Sequence, residues 1–180
     1  MLFRSGLSWL LLIHQLPAKP AYARVKVWRR LQALGAVTVK NAVYALPVHG
    51  DAREDFAWLA KEIEELGGEA IVCEAALVEG LTDAALKDLF DAARDEDYGR
   101  IAEEARQIAE RIAGDASDSV LAEAVSQTAR LRRQLDAVIA IDFFGANSRL
   151  AAQGLVSGLE TSLQGEDRKS TRLNSSHSQQ

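Results

Sequence analysis

The spacing of apolar residues changes once along this chain, near Thr82, and that change limits what it can fold into. Ahead of it, short apolar runs are cut by proline, glycine and asparagine, the pattern of strands and brief helices. Beyond it, apolar residues recur at helical spacing through most of the remaining chain. Residues 9–13 are a continuous apolar run bounded by turn residues, which predicts a strand covered on both faces. Pro20 suits the first turn of a helix over 21–34, and Gly35 stops it. Residues 37–39 and 42–46 read as two strands around a Lys40-Asn41 turn. Asp51 is placed to cap a helix to Leu66 that Gly67 and Gly68 close, and 69–78 is a last strand. The order β-α-β-β-α-β predicts an α+β class with a ferredoxin-like (split βαβ) domain over residues 8–79.

Residues 82–164 are expected to form a helical region organised as a helical hairpin. Thr82 caps a helix over 82–94, a second runs from Tyr98 to Ile112, and a turn at 114–117 leads into a third over 118–140. In this third helix Val120, Leu121, Ala124, Val125, Thr128, Leu131, Leu135 and Val138 make a long apolar stripe. The stripe is expected to pair antiparallel with the preceding helix, and a structural reading would use helix 118–140 to form a homodimer. Asn147 is read as the cap of a final helix. The group Asp91, Arg94, Asp95, Glu96 and Asp97 lacks calcium-loop spacing and is read as a solvated junction between helices. Asp167-Arg-Lys-Ser-Thr-Arg-Leu-Asn-Ser-Ser-His177 looks like the translation of a short-read sequencing adapter. Residues 167–180 are therefore expected to lie outside the fold, with a C-terminal portion missing after Glu166.

Charge is as unevenly divided as the apolar pattern. Residues 1–50 hold Arg4, Lys19, Arg24, Lys26, Arg29, Arg30 and Lys40 and not one acid, although the whole chain carries a net charge of −5. Such a block suits either a bound anion or orientation on a polyanion. Winding residues 21–34 at about 100° per residue puts Val25, Val27, Trp28, Leu31 and Leu34 on one face and Lys26, Arg29 and Arg30 on the other. A solvated helix face usually mixes signs in i,i+4 pairs, and this one has none. Lys26, Arg29, Arg30 and Lys40 are therefore the candidate contacts to nucleic-acid phosphates. Arg24 falls among the apolar side chains one turn before Trp28, where it could stack on the indole and reach outward. A second constellation is a candidate oxyanion site, with His14, Lys19, Arg24 and His49 expected at one sheet end beside two helix N-termini.

Several function classes find no support. His14, His49 and Asp51 lack the spacing of a metal site, and no metal is expected. Cys73 is single and sits mid-strand, which suits a small buried hydrophobe; as a reductant thiol for a metal oxyanion it would need exposure and a lowered pKa. No glycine-rich phosphate loop, nucleophile elbow or paired-carboxylate motif appears, so neither an enzyme nor a cofactor is expected. Arg4 followed by apolar residues 7–13 has the outline of a short signal peptide, but the run is too short for a membrane span and no small-x-small cleavage site follows. A cytoplasmic protein without membrane contact is the expectation.

Four stretches carry a family likeness. Trp9-Leu-Leu-Leu-Ile-His-Gln-Leu-Pro-Ala-Lys-Pro20, Val27-Trp-Arg-Arg-Leu-Gln-Ala-Leu-Gly-Ala36 and Lys40-Asn-Ala-Val-Tyr-Ala-Leu-Pro47 resemble the N-terminal domain of the chromate resistance protein ChrB family, and Ile141-Asp-Phe-Phe-Gly-Ala146 resembles a later segment of it. The resemblance covers most of residues 8–160. It implies a transcriptional regulator of a chromate-resistance operon, with promoter DNA as partner and chromate as effector, whose full-length members carry a further C-terminal domain. A fainter likeness, in element order alone, links residues 9–78 to the central domain of PaaX-type repressors. The readings left open are the DNA-contacting regulator, a chromate-binding module without DNA contact, and a dimerisation module.

Overall fold

The computed structural model describes residues 7–19 and 21–176, with 166–176 as backbone alone. Arg4, Pro20 and residues 177–180, which entered the expectations above, lie outside the described residues. The chain divides into two compact units, residues up to 93 with 141–144, and residues 94–140 with those from 145 onward.

In the first unit the element order is β1 (Ser8–Gln15), α1 (Ala21–Ala33), β2 (Val37–Lys40), β3 (Val43–Pro47), α2 (Ala52–Glu65) and β4 (Glu69–Ala76). The architecture is α+β, with one four-stranded sheet of order β2-β3-β1-β4 in which each neighbouring pair is antiparallel. Strand β1 lies inside the sheet between β3 and β4, and its Trp9, Leu10 and Leu12 are all buried. The pleat sends Leu10 and Leu12 to one face and Trp9 to the other. Val27 and Leu31 of α1 and Phe56, Leu59 and Ile63 of α2 join them in one core. Trp9 also stacks on Phe90, with ring centroids 5.8 Å apart.

Local chemistry sets the element ends. At the close of α2, Gly67 takes φ 79, its N–H donates to Glu64 O, and Gly68 N–H donates to Ile63 O, the paired bonds of a Schellman cap. A Cβ on Gly68 would lie 2.6 Å from the Gln15 carbonyl oxygen, so only glycine lets the chain pass β1 there. Asp51 occupies the N-cap position of α2, but its side chain makes no capping bond. The β2–β3 turn is Asn41-Ala42, one residue later than expected, because Asn41 adopts φ 49, a conformation asparagine tolerates better than lysine.

The helical part is α3 (Asp83–Gly114), α4 (Asp118–Ala140) and α5 (Arg149–Ser176). The expected break near residues 94–98 is absent. Arg94 pairs with Asp97 at 2.8 Å, and Arg100 pairs with Glu96 and Asp97, so i,i+3 and i,i+4 pairs carry the helix through the acidic group. That group is no solvated junction either, since Arg94 is 3% exposed. Thr82 caps α3 as expected, its Oγ1 accepting the Ala85 N–H at 3.1 Å. Ser148 rather than Asn147 precedes α5, and its N–H donates to Asp95 Oδ1.

Tyr98, Ile101 and Ile108 of α3, Ala124, Leu131 and Leu135 of α4, and Val156 and Leu159 of α5 form the second unit's core. Ion pairs Arg111–Glu123 and Arg130–Glu104 show α3 and α4 running antiparallel. The α4 stripe is thus covered by two helices of its own chain, a three-helix arrangement rather than a hairpin. Ala124, Thr128, Leu131 and Leu135 of the stripe are buried there, while Val125 is exposed. Among the described residues no helix is long and apolar enough to cross a membrane.

Candidate functional site

The C-terminal end of β1 carries the sheet's least ordinary side chain. His14 shares its face with Leu12 and Tyr44, beneath α1, and its ring stacks on Tyr44 with centroids 5.6 Å apart and planes 13° from parallel. Both ring nitrogens are buried without a hydrogen-bond partner among the described residues. Burial also lowers the imidazole below its ordinary pKa of 6.5, which holds it neutral. Beside it opens a cleft of about 380 Å³, lined by His14, Tyr44, Arg24, Val27, Trp28 and Leu31 among others.

Arg24 and Trp28 reach this cleft from one side of α1. The helix buries only Ala23, Val27 and Leu31, while Trp28 stays 54% and Val25 48% exposed. The apolar face is therefore narrower than the wheel suggested. No cation–π contact joins Arg24 to Trp28 among the described residues, where the cations over rings are Lys61 on Trp58 and Lys87 on Phe144. Arg24 is exposed and lines the cleft, instead of lying folded onto the indole.

The expected oxyanion constellation is split. Trp9 pairs with Pro47 and Ile13 with Val43, so β3 ends where β1 begins. His49, just past β3, consequently lies at the opposite sheet end from His14, about 17 Å away along the strand. The expectation placed the C-terminal ends of β1 and β3 together, whereas antiparallel neighbours must end apart. His49 instead packs against Phe143, with centroids 4.4 Å apart. Lys19 and Arg24 stay on the His14 side, as does Lys40 at the end of β2.

The outer face of α1 is less uniform than its sequence. Lys26 Nζ sits 2.7 Å from Glu62 Oε1 of α2, and that hydrogen bond, then the carboxylate's charge, raises the ammonium above its ordinary pKa. Arg29, Arg30 and Lys40 are exposed and make no ion pair among the described residues. Arg30 lines a second cleft of about 250 Å³ with Trp58, Lys61, Glu62 and Glu65 of α2. Trp58 is 65% exposed with Lys61 over its ring at 5.7 Å. Lys61 and Trp58 escaped the sequence reading because they lie in the acid-rich half and approach Arg30 only through the packing of α2 on α1. Cys73 is half-buried opposite Leu11. No group of three metal-ligating side chains forms among the described residues.

Comparison with known proteins bears on the whole arrangement. The family model described as Protein ChrB, N-terminal, matches residues 24–171. The curated Protein ChrB of Cupriavidus metallidurans is 29% identical over 137 residues, a stretch covering 76% of this chain and 40% of that protein. The chain thus aligns with well under half the length of that relative. No solved structure matches.

Proposed function

The chain belongs to the ChrB family through its N-terminal domain, and from that premise we propose that it is the N-terminal part of a chromate-responsive transcriptional regulator of a chromate-resistance operon. In this reading the β-α-β-β-α-β unit is a ferredoxin-like domain that presents α1 to DNA. Arg29, Arg30 and Lys40 contact backbone phosphates, and Lys26 does so only by giving up Glu62. Chromate is the effector, and the protein works in the cytoplasm, where promoter DNA is.

The observation that carries the reading is the pair Arg29 and Arg30, both exposed on α1 and neither in an ion pair among the described residues, although Glu62 and Glu65 line the cleft beside Arg30. Cations of this kind displace the counterions condensed on a duplex, and each phosphate neutralised steepens the fall of affinity with salt. Fluorescence anisotropy with duplex DNA carrying the operon's promoter tests it. Affinity is expected to fall steeply with salt, and Arg29→Ala and Arg30→Ala each to flatten that fall. Absent or salt-independent binding would overturn the proposal.

A further inference from the structure

We propose that the cleft between α1 and the C-terminal end of β1 binds a small organic carboxylate with a flat apolar body, Arg24 taking the carboxylate and the rings of His14, Tyr44 and Trp28 taking the body. A cleft of about 380 Å³ has room for roughly a dozen waters and falls within the range of small-molecule sites, roughly 300–1,000 Å³. A tetrahedral oxyanion would leave most of it empty.

The lining decides the chemistry. Val27 and Leu31 are buried core residues, and His14 and Tyr44 stack with planes 13° apart. Flat aromatic walls favour a flat apolar body, which gains from offset stacking. A small doubly charged oxyanion would lose hydration against such walls without enough donors to replace it. Polar groups are few, as expected of a small-molecule site. Arg24 is the fixed cation of the lining, and a guanidinium fork matches a carboxylate better than it matches a neutral group. The buried, unpartnered nitrogens of His14 are costly in an otherwise well-packed sheet, which marks this strand end as more than a packing position.

This site is argued from its own geometry and does not depend on contact between α1 and DNA. The test is isothermal titration calorimetry of the chain with sodium benzoate, benzamide, sodium sulfate and sodium chromate. Benzoate is expected to bind and to change Trp28 fluorescence. Benzamide, the uncharged analogue, should bind roughly tenfold more weakly or worse, the loss expected when a charge-assisted hydrogen bond is removed. Neither sulfate nor chromate should displace benzoate. Arg24→Gln should weaken benzoate by a similar factor while leaving the circular dichroism spectrum unchanged, because Arg24 is exposed. Trp28→Ala, also at an exposed position, supplies a second variant that keeps the core. No heat with benzoate, equal binding of benzamide, insensitivity to Arg24→Gln, or displacement by chromate would each overturn the proposal. The salt-dependent DNA titration is a separate measurement, so failure here and failure of the regulator reading can be told apart.

Discussion

Replacing Asp83 with alanine is expected to destabilise the first unit by about 2–3 kcal/mol. Trp9 has no solvent exposure, and its indole Nε1 donates to Asp83 Oδ1 at 2.7 Å. The other carboxylate oxygen accepts the Leu7 N–H at 3.2 Å. A hydrogen bond to a charged acceptor contributes about 1.5–3 kcal/mol when it is part-buried and well formed. Asp83 also stands in the first turn of α3, where a carboxylate adds about 0.3–1 kcal/mol against the helix dipole. The Leu7 bond is exposed and adds little. Alanine would take that acceptor from the indole N–H, and the Phe90 and Phe144 rings packed on Trp9 at 5.8 and 6.0 Å offer no carboxylate in its place. Asp83→Asn keeps an acceptor oxygen and should cost about half as much. Urea unfolding followed by circular dichroism measures both. A double-mutant cycle with Trp9→Phe should return a coupling of about 1–2 kcal/mol. If Asp83→Ala stayed within about 0.5 kcal/mol of the parent, or the cycle gave no coupling, the account of how β1 is tied to α3 would be wrong.

Three further perturbations test other parts of the molecule. Gly68→Ala puts a Cβ 2.6 Å from a backbone oxygen and 2.8 Å from Ile63 Cγ2, and should lower stability in thermal unfolding by about 1–3 kcal/mol; Gly99→Ala, with open space around it in α3, should instead gain up to about 1 kcal/mol. Arg132 holds Glu160 through Nε at 2.8 Å and Nη2 at 2.6 Å, and this bonding, then the positive charge, draws the carboxyl below its ordinary 4.5. Because the pair is part-exposed, Glu160→Gln should cost only about 1 kcal/mol near neutrality, and the difference should vanish as acid protonates the folded carboxyl below that ordinary value. His14 shifts stability in the same direction as acid is added, but through burial that opposes its charged form and not through an ion pair. Its folded pKa lies below 6.5, so the unfolded chain takes up the proton first and the parent loses stability as pH falls from there. His14→Phe should remove that loss, which urea midpoints at neutral and mildly acid pH would show.

The fold was legible to the extent that local chemistry controls it. The apolar run at 9–13 marked the central strand, and Gly35 and Gly67 marked helix ends because α1 and α2 must stop before the next strand begins. Helix α4 was readable at both ends, since the Gly114–Ser117 turn leads into Asp118 and Ile141-Asp-Phe-Phe-Gly145 breaks the pattern after about Ala140. What could not be read locally depends on partners distant in sequence. The continuity of α3 rests on Arg94 and Arg100 meeting Asp97, and an acidic cluster alone looks like a junction. The split of His14 from His49 follows from the β1–β3 register, which no spacing announces. The cleft was half visible: Arg24 and His14 stood out as polar residues in apolar surroundings. Tyr44 looked like ordinary strand alternation, and the exposure of Trp28 depends on how far α1 tilts into the sheet.

Lys26 shows how the acid-free block should be counted. Within residues 1–50 every cation looks unneutralised, yet the fold brings Glu62 of α2 to 2.7 Å from Lys26, so one of the four proposed phosphate ligands already has its counterion. An ammonium that keeps its carboxylate neutralises no phosphate and so releases no counterion from the duplex, and any DNA contact must first break the pair. Salt dependence separates paired from free cations, because each free one should add about 0.9 to the slope of log affinity against log salt. Arg29, Arg30 and Lys40 together then predict a slope contribution of about −2.7, where all four would give about −3.6. Arg29→Ala and Arg30→Ala should each reduce the slope by about 0.9, while Lys26→Ala should leave it unchanged. Glu62→Gln should steepen it, by releasing Lys26 to the duplex. If Lys26→Ala flattened the slope as much as Arg29→Ala, the ion pair seen in the free protein would not survive on DNA, and the cationic face would have to be counted from the sequence after all.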